Sequence, residues 1–468
     1  MIPQHLIDYI SKTKNVARHH EKVTEGAVYI LASVEQNTFY LEKAIMNGAY
    51  YAVVNREIQS KIDCDNSNCE IIPVENPAKF WAFAASLIYP TLPAVITTVT
   101  GTSGKTSVAH MYSQAAAILD QKALYIGTLG AIEIGAKQTK IADTLTTPDI
   151  LDLRKILSES NCKYVCIESS SHGIDQHRID YIPFKVAAFT NLAPEHLDYH
   201  KSIDAYFDAK KRLFTDYNIE NVVLNSDDRY SQKLIEICKN KNVITYGKNG
   251  NLQLIEYNPG NNFKLKFNNK YYIIDCNIPG IFNIYNILCV IGILLQTGFN
   301  IEVILQVINR LSLPGGRMEQ IIKNKLEIFI DYAHKPNALE AVLQSLVEYK
   351  NSNNKGQLWV VFGCGGNRDA EKRELMGKIA DRFADKIIVT DDNPRHEDPK
   401  NIRNAIISGI KSDYIEIYDR QLAIEYTIKH ADANDIILVA GKGHEKHQII
   451  GDQKFKFCDA EVVKQTKL

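Results

Sequence analysis

The sequence lacks a dominant charge, a zinc-like cysteine spacing and any long apolar run. Its 468 residues carry 54 lysines and arginines against 55 aspartates and glutamates, a formal net charge of −1. No chain-wide positive field is therefore available to hold a nucleic-acid backbone or an anionic membrane surface. The only close cysteine pairs are Cys64 with Cys69 and Cys162 with Cys166, and neither has a zinc spacing. We expect reduced, mostly buried thiols.

The sequence also shows no sign of secretion or membrane insertion. The start, MIPQHLIDYI, has no basic segment followed by an apolar core, so we expect no secretory signal. The most apolar stretch, Ile287 to Leu295, runs for nine residues, whereas a membrane-spanning helix needs about 20. These features predict a cytoplasmic protein without nucleic-acid or membrane partners, and we expect a monomer.

What the sequence does contain is ordinary globular composition, with 45% hydrophobic and 23% charged residues. At about 150 residues per domain, its length predicts about three domains. Two proline-marked seams, Tyr89–Pro93 and Leu313–Gly316, each lie between a helical pattern and a strand-like run. They predict domains at 1–92, 93–312 and 313–468.

Strand-like runs alternate with helical patterns in the second and third segments. This alternation predicts α/β domains with doubly wound parallel sheets. Around the Asn-Pro-Gly and Asn-Asn turns, residues 252–274 alternate apolar and polar side chains, which predicts a small antiparallel patch. The predicted parallel strands are 94–100, 164–169, 185–191, 221–225, 358–363, 386–390 and 435–440.

A glycine-rich loop, Gly101-Thr-Ser-Gly-Lys-Thr106, follows the first of these strands and precedes a helical pattern. In that setting backbone N–H groups and a helix N-terminus hold phosphate oxygens. Lys105 would reach the terminal phosphates, and Thr106 offers the hydroxyl that such loops place on Mg²⁺. Because Val99 stands where the full signature has its first glycine, a plain glycine turn is the alternative. The loop predicts that the central domain is a P-loop domain. We expect a small α/β domain on its N-terminal side and a Rossmann-like α/β domain on its C-terminal side.

Candidate metal ligands follow the next strands. Glu168 ends the strand-like run KYVCIE, at the sheet edge where sites of open α/β sheets collect, so it is a second candidate Mg²⁺ ligand. His196 and His200 are four residues apart, as in zinc-protease helices. Leu197 occupies the position of the general-base glutamate in those helices, which disfavours a zinc protease.

Lys210 stands out in the predicted helix that begins after the N-cap Ser202. It falls on the buried face of that helix, whereas Lys211 points away. Its stem could pack while its ammonium reaches water. Burial would instead lower its pKa, and the neutral amine could form a carbamate with CO₂ that reaches metal ions. The apolar residues that define the buried face are Ile203, Tyr206, Phe207, Leu213 and Phe214.

Together these residues resemble the Mur ligase family of ATP-dependent amide-bond synthetases, and the resemblance spans nearly the whole chain. The motifs occur in the family's order: GTSGKT (101–106), TTP (146–148), ESSSH (168–172), QHR (176–178), FTNLAPEHLDYH (189–200), YFDAK (206–210), FNIYN (282–286), GRME (316–319), DYAH (331–334), FGCGGNRD (362–369), DNPR (392–395) and AGKGHE (440–445).

Within the family, the chain most resembles the members that add meso-diaminopimelate to UDP-N-acetylmuramoyl-L-alanyl-D-glutamate in peptidoglycan precursor synthesis, and the resemblance implies the same activity. It implies ATP as co-substrate, Mg²⁺ as cofactor and an acyl-phosphate intermediate. Thr106 and Glu168 would bind one Mg²⁺, and His196 with Lys210, carbamylated to N6-carboxylysine, would bind a second. Lys105, Glu168, His196 and Lys210 would be the catalytic residues.

Three sets of binding residues also follow from the resemblance. The ATP set is Gly101, Thr102, Ser103, Gly104, Lys105, Thr106, Ser107, Asn283, Asn286, Arg317 and Asp331. The UDP-muramoyl-dipeptide set is Thr146, Thr147, Ser170, Gln176 and Arg178. The diaminopimelate set is Arg368, Asp392, Asn393, Pro394, Arg395, Gly441 and Glu445. In the third set, an arginine fork would grip the distal carboxylate that lysine lacks.

The N-terminal segment departs from the family pattern, and two other functions stay open. Val16-Ala17-Arg18 stands where the family has Asp-Ser-Arg, so a serine that helps to hold the uridine nucleotide is alanine here. A folate polyglutamate synthetase-like ligase would share the loop and the metal lysine but would not need DNPR. A P-loop ATPase acting on a protein partner would need no amino acid. The guanine-reading motif Asn-Lys-x-Asp is absent, which disfavours a GTPase switch.

Overall fold

The computed structural model describes residues 2–31, 38–59 and 68–467, so Cys64 lies outside the described residues. The chain forms two compact units, described separately below. The first comprises Met1–Leu224, Asp228–Ile244 and Ile293–Gly298, and the second comprises Asn225–Asp227, Thr245–Gly292 and Phe299–Leu468.

The described residues form α-helices and β-strands in alternation, with one short 3-10 turn at His20–Lys22. The helices are α1 (Gln4–Thr13), α2 (Thr38–Met46), α3 (Arg56–Gln59), α4 (Pro77–Ile88), α5 (Lys105–Asp120), α6 (Ile150–Glu159), α7 (Ser171–Asp175), α8 (Leu197–His200), α9 (Ile203–Thr215), α10 (Arg229–Ile237), α11 (Ile281–Gln296), α12 (Ile301–Ile308), α13 (Pro336–Ser352), α14 (Glu371–Phe383), α15 (Pro399–Ile407), α16 (Arg420–His430) and α17 (Asp459–Gln465). The strands are β1 (Val16–Ala17), β2 (Ala27–Ile30), β3 (Ala49–Asn55), β4 (Glu70–Val74), β5 (Val95–Thr100), β6 (Ala123–Gly127), β7 (Gly130–Ile134), β8 (Gln138–Ala142), β9 (Tyr164–Glu168), β10 (Phe184–Phe189), β11 (Asn221–Asn225), β12 (Asn242–Gly247), β13 (Leu252–Asn258), β14 (Asn262–Phe267), β15 (Lys270–Asp275), β16 (Glu319–Lys323), β17 (Leu326–Asp331), β18 (Leu358–Phe362), β19 (Lys386–Val389), β20 (Tyr414–Glu416), β21 (Ile436–Ala440), β22 (His447–Ile450) and β23 (Gln453–Lys456).

The first unit contains a small parallel sheet, β1-β2-β3-β4, and a larger sheet with the order β11-β10-β5-β9-β6-β7-β8. The larger sheet is parallel from β11 to β6, whereas β7 and β8 are antiparallel. Val99 pairs with Glu168 and Thr100 with Phe189, so the carboxyl ends of β5, β9 and β10 meet at one edge. Sites of open α/β sheets collect at such an edge.

Successive side chains of the strands in the larger sheet point to opposite faces, so alternate residues share a core. Ile96, Val165 and Ile167 face a core shared with α4, α6 and α9. Helix α5 packs against β6 and β9. Each fully buried Leu or Ile side chain contributes roughly 1.5–3 kcal/mol by leaving water, so these continuous apolar strands are stable only when both faces are covered.

The second unit contains an antiparallel ladder, β13-β14-β15, and a six-stranded sheet with the order β16-β17-β21-β18-β19-β20. In the six-stranded sheet only β16 is antiparallel to its neighbour. Alternate residues of β18 face two separate cores. Val360 and Phe362 pack with α13 and α14, while Trp359 and Val361 pack with α16 and α17.

The predicted fold class is confirmed. Each predicted parallel strand is present with ends within one or two residues, and β11 begins and ends as predicted. The antiparallel patch also forms, with Asn268 and Asn269 at positive φ in its second turn. The predicted three-domain division stays a prediction.

The structure also bears on the apolar helix and the thiols. The helix that the sequence predicts around Ile287–Leu295 is α11. Its residues from Ile287 to Ile291 are all buried. Among the residues described, no helix combines the length and apolar character needed to cross a membrane. Of the described cysteines, all but Cys458 are buried.

Candidate functional site

The loop Gly101–Gly104 links the end of β5 to the start of α5, as the sequence predicts. Gly101 has φ +148°, and a Cβ there would clash with the Thr190 hydroxyl oxygen. Gly104 precedes the helix with φ +88°. The first N–H groups of any α-helix have no acceptor within the helix, so the start of α5 presents donors to an anion. The loop and helix therefore fit a phosphate group.

Residues after β10 hold this loop in place. The N–H of Thr102 donates to the Asn191 carbonyl (2.8 Å) and that of Ser103 to the Asn191 side-chain oxygen (3.0 Å). The Thr190 hydroxyl donates to the Ser103 carbonyl at 2.6 Å. These hydrogen bonds within the protein thus fix the conformation of the loop without a ligand.

The side-chain nitrogens of two lysines meet at one carbonyl oxygen of this loop. Lys105 Nζ donates to the carbonyls of Gly101 and Thr102, each at 2.8 Å, and Lys210 Nζ donates to the same Gly101 carbonyl at 2.9 Å. Burial lowers the pKa of Lys210 well below its usual value, and the nearby Lys105 charge lowers that pKa further. Lys210 is 1% exposed, so the predicted burial is confirmed, and a neutral, nucleophilic amine is favoured there.

The neighbours of Lys210 on α9 also match their predicted places. The Ser202 hydroxyl accepts from the N–H of Ala205 at 3.1 Å and caps the helix. Tyr206, Phe207, Leu213 and Phe214 are buried, whereas Ile203 is partly buried and packs against the same core. Lys211 lies toward the surface, where it pairs with Asp208 at 2.5 Å.

The Glu168 carboxylate lies at the end of β9 and is 0% exposed. Its oxygens accept from the Tyr125 hydroxyl (2.5 Å), the Thr128 N–H (3.0 Å), the Thr128 hydroxyl (3.3 Å) and the Thr106 hydroxyl (3.0 Å). All four donors are neutral, so the buried negative charge favours a cation. A carboxylate beside a hydroxyl is a hard oxygen donor set of the kind that Mg²⁺ binds together with phosphate oxygens. Thr106 and Glu168 therefore fit Mg²⁺.

His196 and Lys210 both contact the ring of Tyr206. The ring centroids of His196 and Tyr206 are 6.2 Å apart, and Lys210 Nζ lies 4.6 Å from the Tyr206 centroid. His196 precedes α8 with a left-handed backbone, φ +55°. Within the described ranges, no three His, Cys, Asp or Glu side chains are grouped to hold a metal ion. A second metal site here would thus need the carbamate oxygens on Lys210.

The predicted dipeptide-binding residues lie beside Glu168, around the start of α7. The Thr147 hydroxyl donates to the Glu168 carbonyl at 2.8 Å and lies 3.0 Å from the Ser170 hydroxyl. The Ser170 hydroxyl caps α7 by accepting from Gly173 N–H. The Thr146 hydroxyl lies 3.1 Å from that of Thr128, which also contacts Glu168.

Two arginines extend this set. Arg178 donates to the Thr147 carbonyl at 3.0 Å and to the Gln176 side-chain oxygen at 2.5 Å, and burial lowers its pKa. Arg18 pairs with Asp149 at 3.1 Å, and its guanidinium lies 5.7 Å from the Trp81 ring centroid. Ala17, which stands in place of the family serine, is buried on β1.

The predicted nucleotide-binding residues of the second unit form two local groups. Asn283 and Asn286 are buried on α11, and the Asn283 amide donates to the Pro279 carbonyl at 2.8 Å. Asp331 ends β17, where its carboxylate accepts from the N–H groups of Met318 and Ala333. Burial raises the pKa of Asp331, and the Arg317 charge opposes that rise. The Arg317 guanidinium lies 4.5 Å from the Tyr332 ring centroid.

The predicted diaminopimelate residues gather at one edge of the six-stranded sheet. The Arg395 guanidinium donates to the Gly366 carbonyl at 2.9 Å. A Cβ on Gly365 would lie 2.8 Å from Arg395 Nη1 and 3.8 Å from Arg368 Cγ, so both arginines lie against Gly365. The Asn393 amide donates to Glu445 at 3.0 Å, which joins the loops after β19 and β21. A Cβ on Gly441 would lie 3.8 Å from the Asp392 carboxylate. Pro394 is buried between Asn393 and Arg395.

Sequence reasoning missed several supporting side chains. Tyr125 and Thr128 hold Glu168, and Lys442 contacts Asp392, Asn393 and Glu445. Tyr125 lies on a strand absent from the prediction. Lys442 was visible in the motif AGKGHE, where a lysine two residues after a buried strand was the available signal.

Comparison with known proteins shows the family of the chain. Residues 99–294 match the Mur ligase middle domain. Residues 316–443 match the Mur ligase, glutamate ligase domain. The chain belongs to the Mur ligase family.

Named relatives include the UDP-N-acetylmuramoyl-L-alanyl-D-glutamate--2,6-diaminopimelate ligase of Rickettsia bellii. It is 41% identical over 450 residues, which cover 93% of this chain and 92% of the relative. A solved structure of an enzyme with the same name has a TM-score of 0.70 at 28% identity and covers 97% of this chain and 94% of its own. The MurF ligase of Thermotoga maritima in complex with ADP shares the fold, with a TM-score of 0.61 at 17% identity over 92% of this chain and 94% of its own.

Proposed function

We propose that this chain adds meso-diaminopimelate to UDP-N-acetylmuramoyl-L-alanyl-D-glutamate, using ATP, in peptidoglycan precursor synthesis. It is an ATP-dependent acid–amino-acid ligase. The observation that carries the choice of amino acid is the placement of Arg368 and Arg395 against Gly365, with Glu445 tied to the same loop through Asn393. The arginines can bind a carboxylate, and Glu445 can bind an ammonium group. Diaminopimelate carries a carboxylate and an ammonium group at its distal end.

The first chemical step joins two anions, because the dipeptide carboxylate attacks the γ-phosphorus of ATP and releases ADP. Lys105 and the N–H groups at the start of α5 offset this repulsion at the phosphates. Mg²⁺ at Thr106 and Glu168 would supply further positive charge to the phosphate oxygens. The product of the step is an acyl phosphate.

The second step forms the amide. The amine of diaminopimelate attacks the acyl carbon, the tetrahedral adduct expels phosphate, and the proton lost by the nitrogen leaves on that phosphate. Glu445 and Asp392 would hold the distal ammonium, and Arg395 with Arg368 would hold the distal carboxylate. Water must be excluded because it would hydrolyse the acyl phosphate.

The dipeptide substrate is held by the residues around α7. Thr146, Thr147, Ser170, Gln176 and Arg178 would bind it. Thr147 also bonds the Glu168 backbone, and Thr146 contacts Thr128. Lys210, as a carbamate, would hold a second Mg²⁺ together with His196. The cytoplasmic location and the monomeric state stay predictions.

One assay tests the proposal. The protein is incubated with ATP, Mg²⁺ and UDP-N-acetylmuramoyl-L-alanyl-D-glutamate, and meso-diaminopimelate or lysine is added in parallel. We expect phosphate and a product mass equal to the dipeptide plus diaminopimelate minus water, with little product from lysine.

The same assay separates the alternatives. Phosphate release that needs no amino acid would favour a P-loop ATPase, and glutamate addition to a folate substrate would favour the folate ligase. Absence of product with both amino acids would refute the proposed function.

A further inference from the structure

Lys442 is a buried cation between the two loops that would receive the amino acid. It follows Gly441, directly after β21, and is 0% exposed. Its Nζ lies 3.0 Å from the Asn393 side-chain oxygen, 3.1 Å from Glu445 Oε2 and 3.4 Å from Asp392 Oδ1. None of the roles assigned above uses this residue.

The three oxygens come from two different loops. Asp392 and Asn393 follow β19, whereas Glu445 follows β21. An ammonium group has three N–H donors, so one lysine can bond all three acceptors. Lys442 therefore joins the two loops through contacts with one carboxylate from each.

The charged groups of this cluster differ in their exposure to solvent. Lys442 is 0% exposed, whereas the Glu445 side chain is 34% exposed. The lysine thus supports the carboxylates from the protein side, and Glu445 is accessible from the solvent side. Two carboxylates and one ammonium leave a net charge of −1, which still attracts a cation.

A second buried cation near this cluster serves a different purpose. Arg420 makes two bonds of 2.8 Å to Asp459 and one of 2.9 Å to the Ala440 carbonyl. The charge of Arg420 acts on Asp392 and Glu445 from a distance, but its hydrogen bonds go to Asp459 and Ala440, so the direct contacts with the two carboxylates come from Lys442.

We infer that Lys442 is a positioning residue that holds Asp392 and Glu445 as a charged pair shaped to receive the distal ammonium of the incoming amino acid. This inference rests on the proposed function. Without the lysine, the two carboxylates would repel each other or share a proton. Repulsion would separate the carboxylates and destroy the geometry that receives an ammonium group, whereas a shared proton would remove one of the two negative charges. Both outcomes leave the ATP and dipeptide sites unchanged.

The test uses the whole chain with Lys442→Met, which keeps most of the side-chain length and removes charge and donors, and Lys442→Gln, which removes the charge but keeps N–H donors on a side chain one atom shorter. Lys454→Met, at an exposed lysine on β23, is the matched control. We expect both Lys442 variants to raise the KM for meso-diaminopimelate at least tenfold. The KM values for ATP and the dipeptide should stay within twofold, and the control should match the unaltered enzyme.

Each other outcome is decisive. An unchanged diaminopimelate KM in both variants would overturn the inference, and so would recovery in Lys442→Gln, which would indicate a neutral hydrogen-bonding role. Equal increases in all three KM values would indicate a merely structural role. If Lys442→Met does not fold, Lys442→Gln carries the test. Lack of product from the unaltered enzyme would refute the proposed function and this inference together, whereas normal turnover with unaffected variants would refute this inference alone.

Discussion

Arg395 combines a strained backbone with a directed side chain. Its φ is +54°, a left-handed conformation that bulky residues rarely adopt. Its N–H donates to the Ile449 carbonyl (3.1 Å), and its own carbonyl accepts from Gly451 N–H (2.7 Å). The pairing with β22 holds the backbone in this conformation and directs the guanidinium toward Gly365 and Gly366. Strain of this kind at a loop residue is typical of a functional site.

We predict that Arg395→Ala lowers kcat/KM for meso-diaminopimelate by about 100-fold or more, because a desolvated charge pair lost from a binding site costs roughly 2–5 kcal/mol. The weak turnover of lysine should change less, since lysine has no distal carboxylate. ATP binding, measured by calorimetry, should stay as in the unaltered enzyme.

The matched control for this variant is Arg382→Ala. Arg382 is largely exposed and pairs with Glu340 at 3.3 Å on the surface, so its loss should change the kinetics less than twofold. Unchanged diaminopimelate kinetics in Arg395→Ala would contradict the assignment of this arginine.

Lys210 and Lys211 are adjacent in sequence but have different environments. We predict that Lys210→Ala lowers kcat by at least 100-fold, because the second metal site loses its carbamate ligand. A short-chain carboxylate such as acetate or propionate should restore part of the activity, since it can place a carboxylate in the vacated space.

Lys211→Ala is the control for this experiment, because Lys211 pairs with Asp208 at the surface. It should retain activity within twofold and should not respond to added carboxylate. Full activity of Lys210→Ala, or equal stimulation of both variants by acetate, would argue against a carbamate.

At the level of elements, the loop before α5 depends on the absence of a side chain at Gly101. We predict that Gly101→Ala abolishes detectable ATP-dependent turnover. The new Cβ would clash with the Thr190 hydroxyl, and φ +148° would be strained for alanine.

Gly298→Ala separates the two causes, because Gly298 also has positive φ (+103°) while nothing lies within 4 Å of its Cβ position. We expect it to cost about 1 kcal/mol of stability at full activity. Equal loss of activity in both variants would show that strain alone is responsible.

The elements that the sequence predicts well are the buried parallel strands. The runs at β5, β9 and β21 are continuously apolar or β-branched because both faces are covered, and that pattern is local. The peripheral strands β7, β8 and β22 were not predicted, since their mixed composition acquires a strand conformation only by pairing with a neighbour. The buried strands β6 and β17 were missed as well.

The same distinction between local and non-local information applies to the site. Lys105 and Thr106 occur in a contiguous motif, and the helical spacing on α9 predicts the burial of Lys210. The support of Glu168 by Tyr125, 43 positions earlier in the chain, depends on the pairing of β6 with β9. No spacing rule in the sequence indicates such a contact.

For the whole molecule, the near-zero net charge constrains how the substrates are recruited. ATP and the UDP-linked dipeptide are anions, and a chain with net charge −1 offers them no general attraction. Local groups such as Lys105 and Arg178 must therefore provide the attraction. We infer that binding depends on short-range contacts within these sites, so its rate should depend only weakly on ionic strength.

The stability of the whole molecule should depend on pH through His110, a buried residue of α5. Burial lowers the pKa of His110 from 6.5 to about 4. Between these two values the unfolded chain binds a proton that the folded chain does not, so the stability falls as the pH drops from about 6.5 toward 4. At pH 5 the loss from this residue is roughly 2 kcal/mol.

We predict that His110→Gln removes this pH-dependent contribution, because glutamine is neutral throughout the range. Urea unfolding is followed in a Trp359→Phe background, where Trp81 is the sole tryptophan and reports on the first unit. The variant should be less stable than the parent at pH 7, since it loses the fitted imidazole. The difference in unfolding free energy between parent and variant should then shrink by about 2 kcal/mol at pH 5. A difference that stays constant between pH 7 and pH 5 would mean that His110 is protonated in the folded protein at pH 5, and that its environment is more polar than its burial indicates.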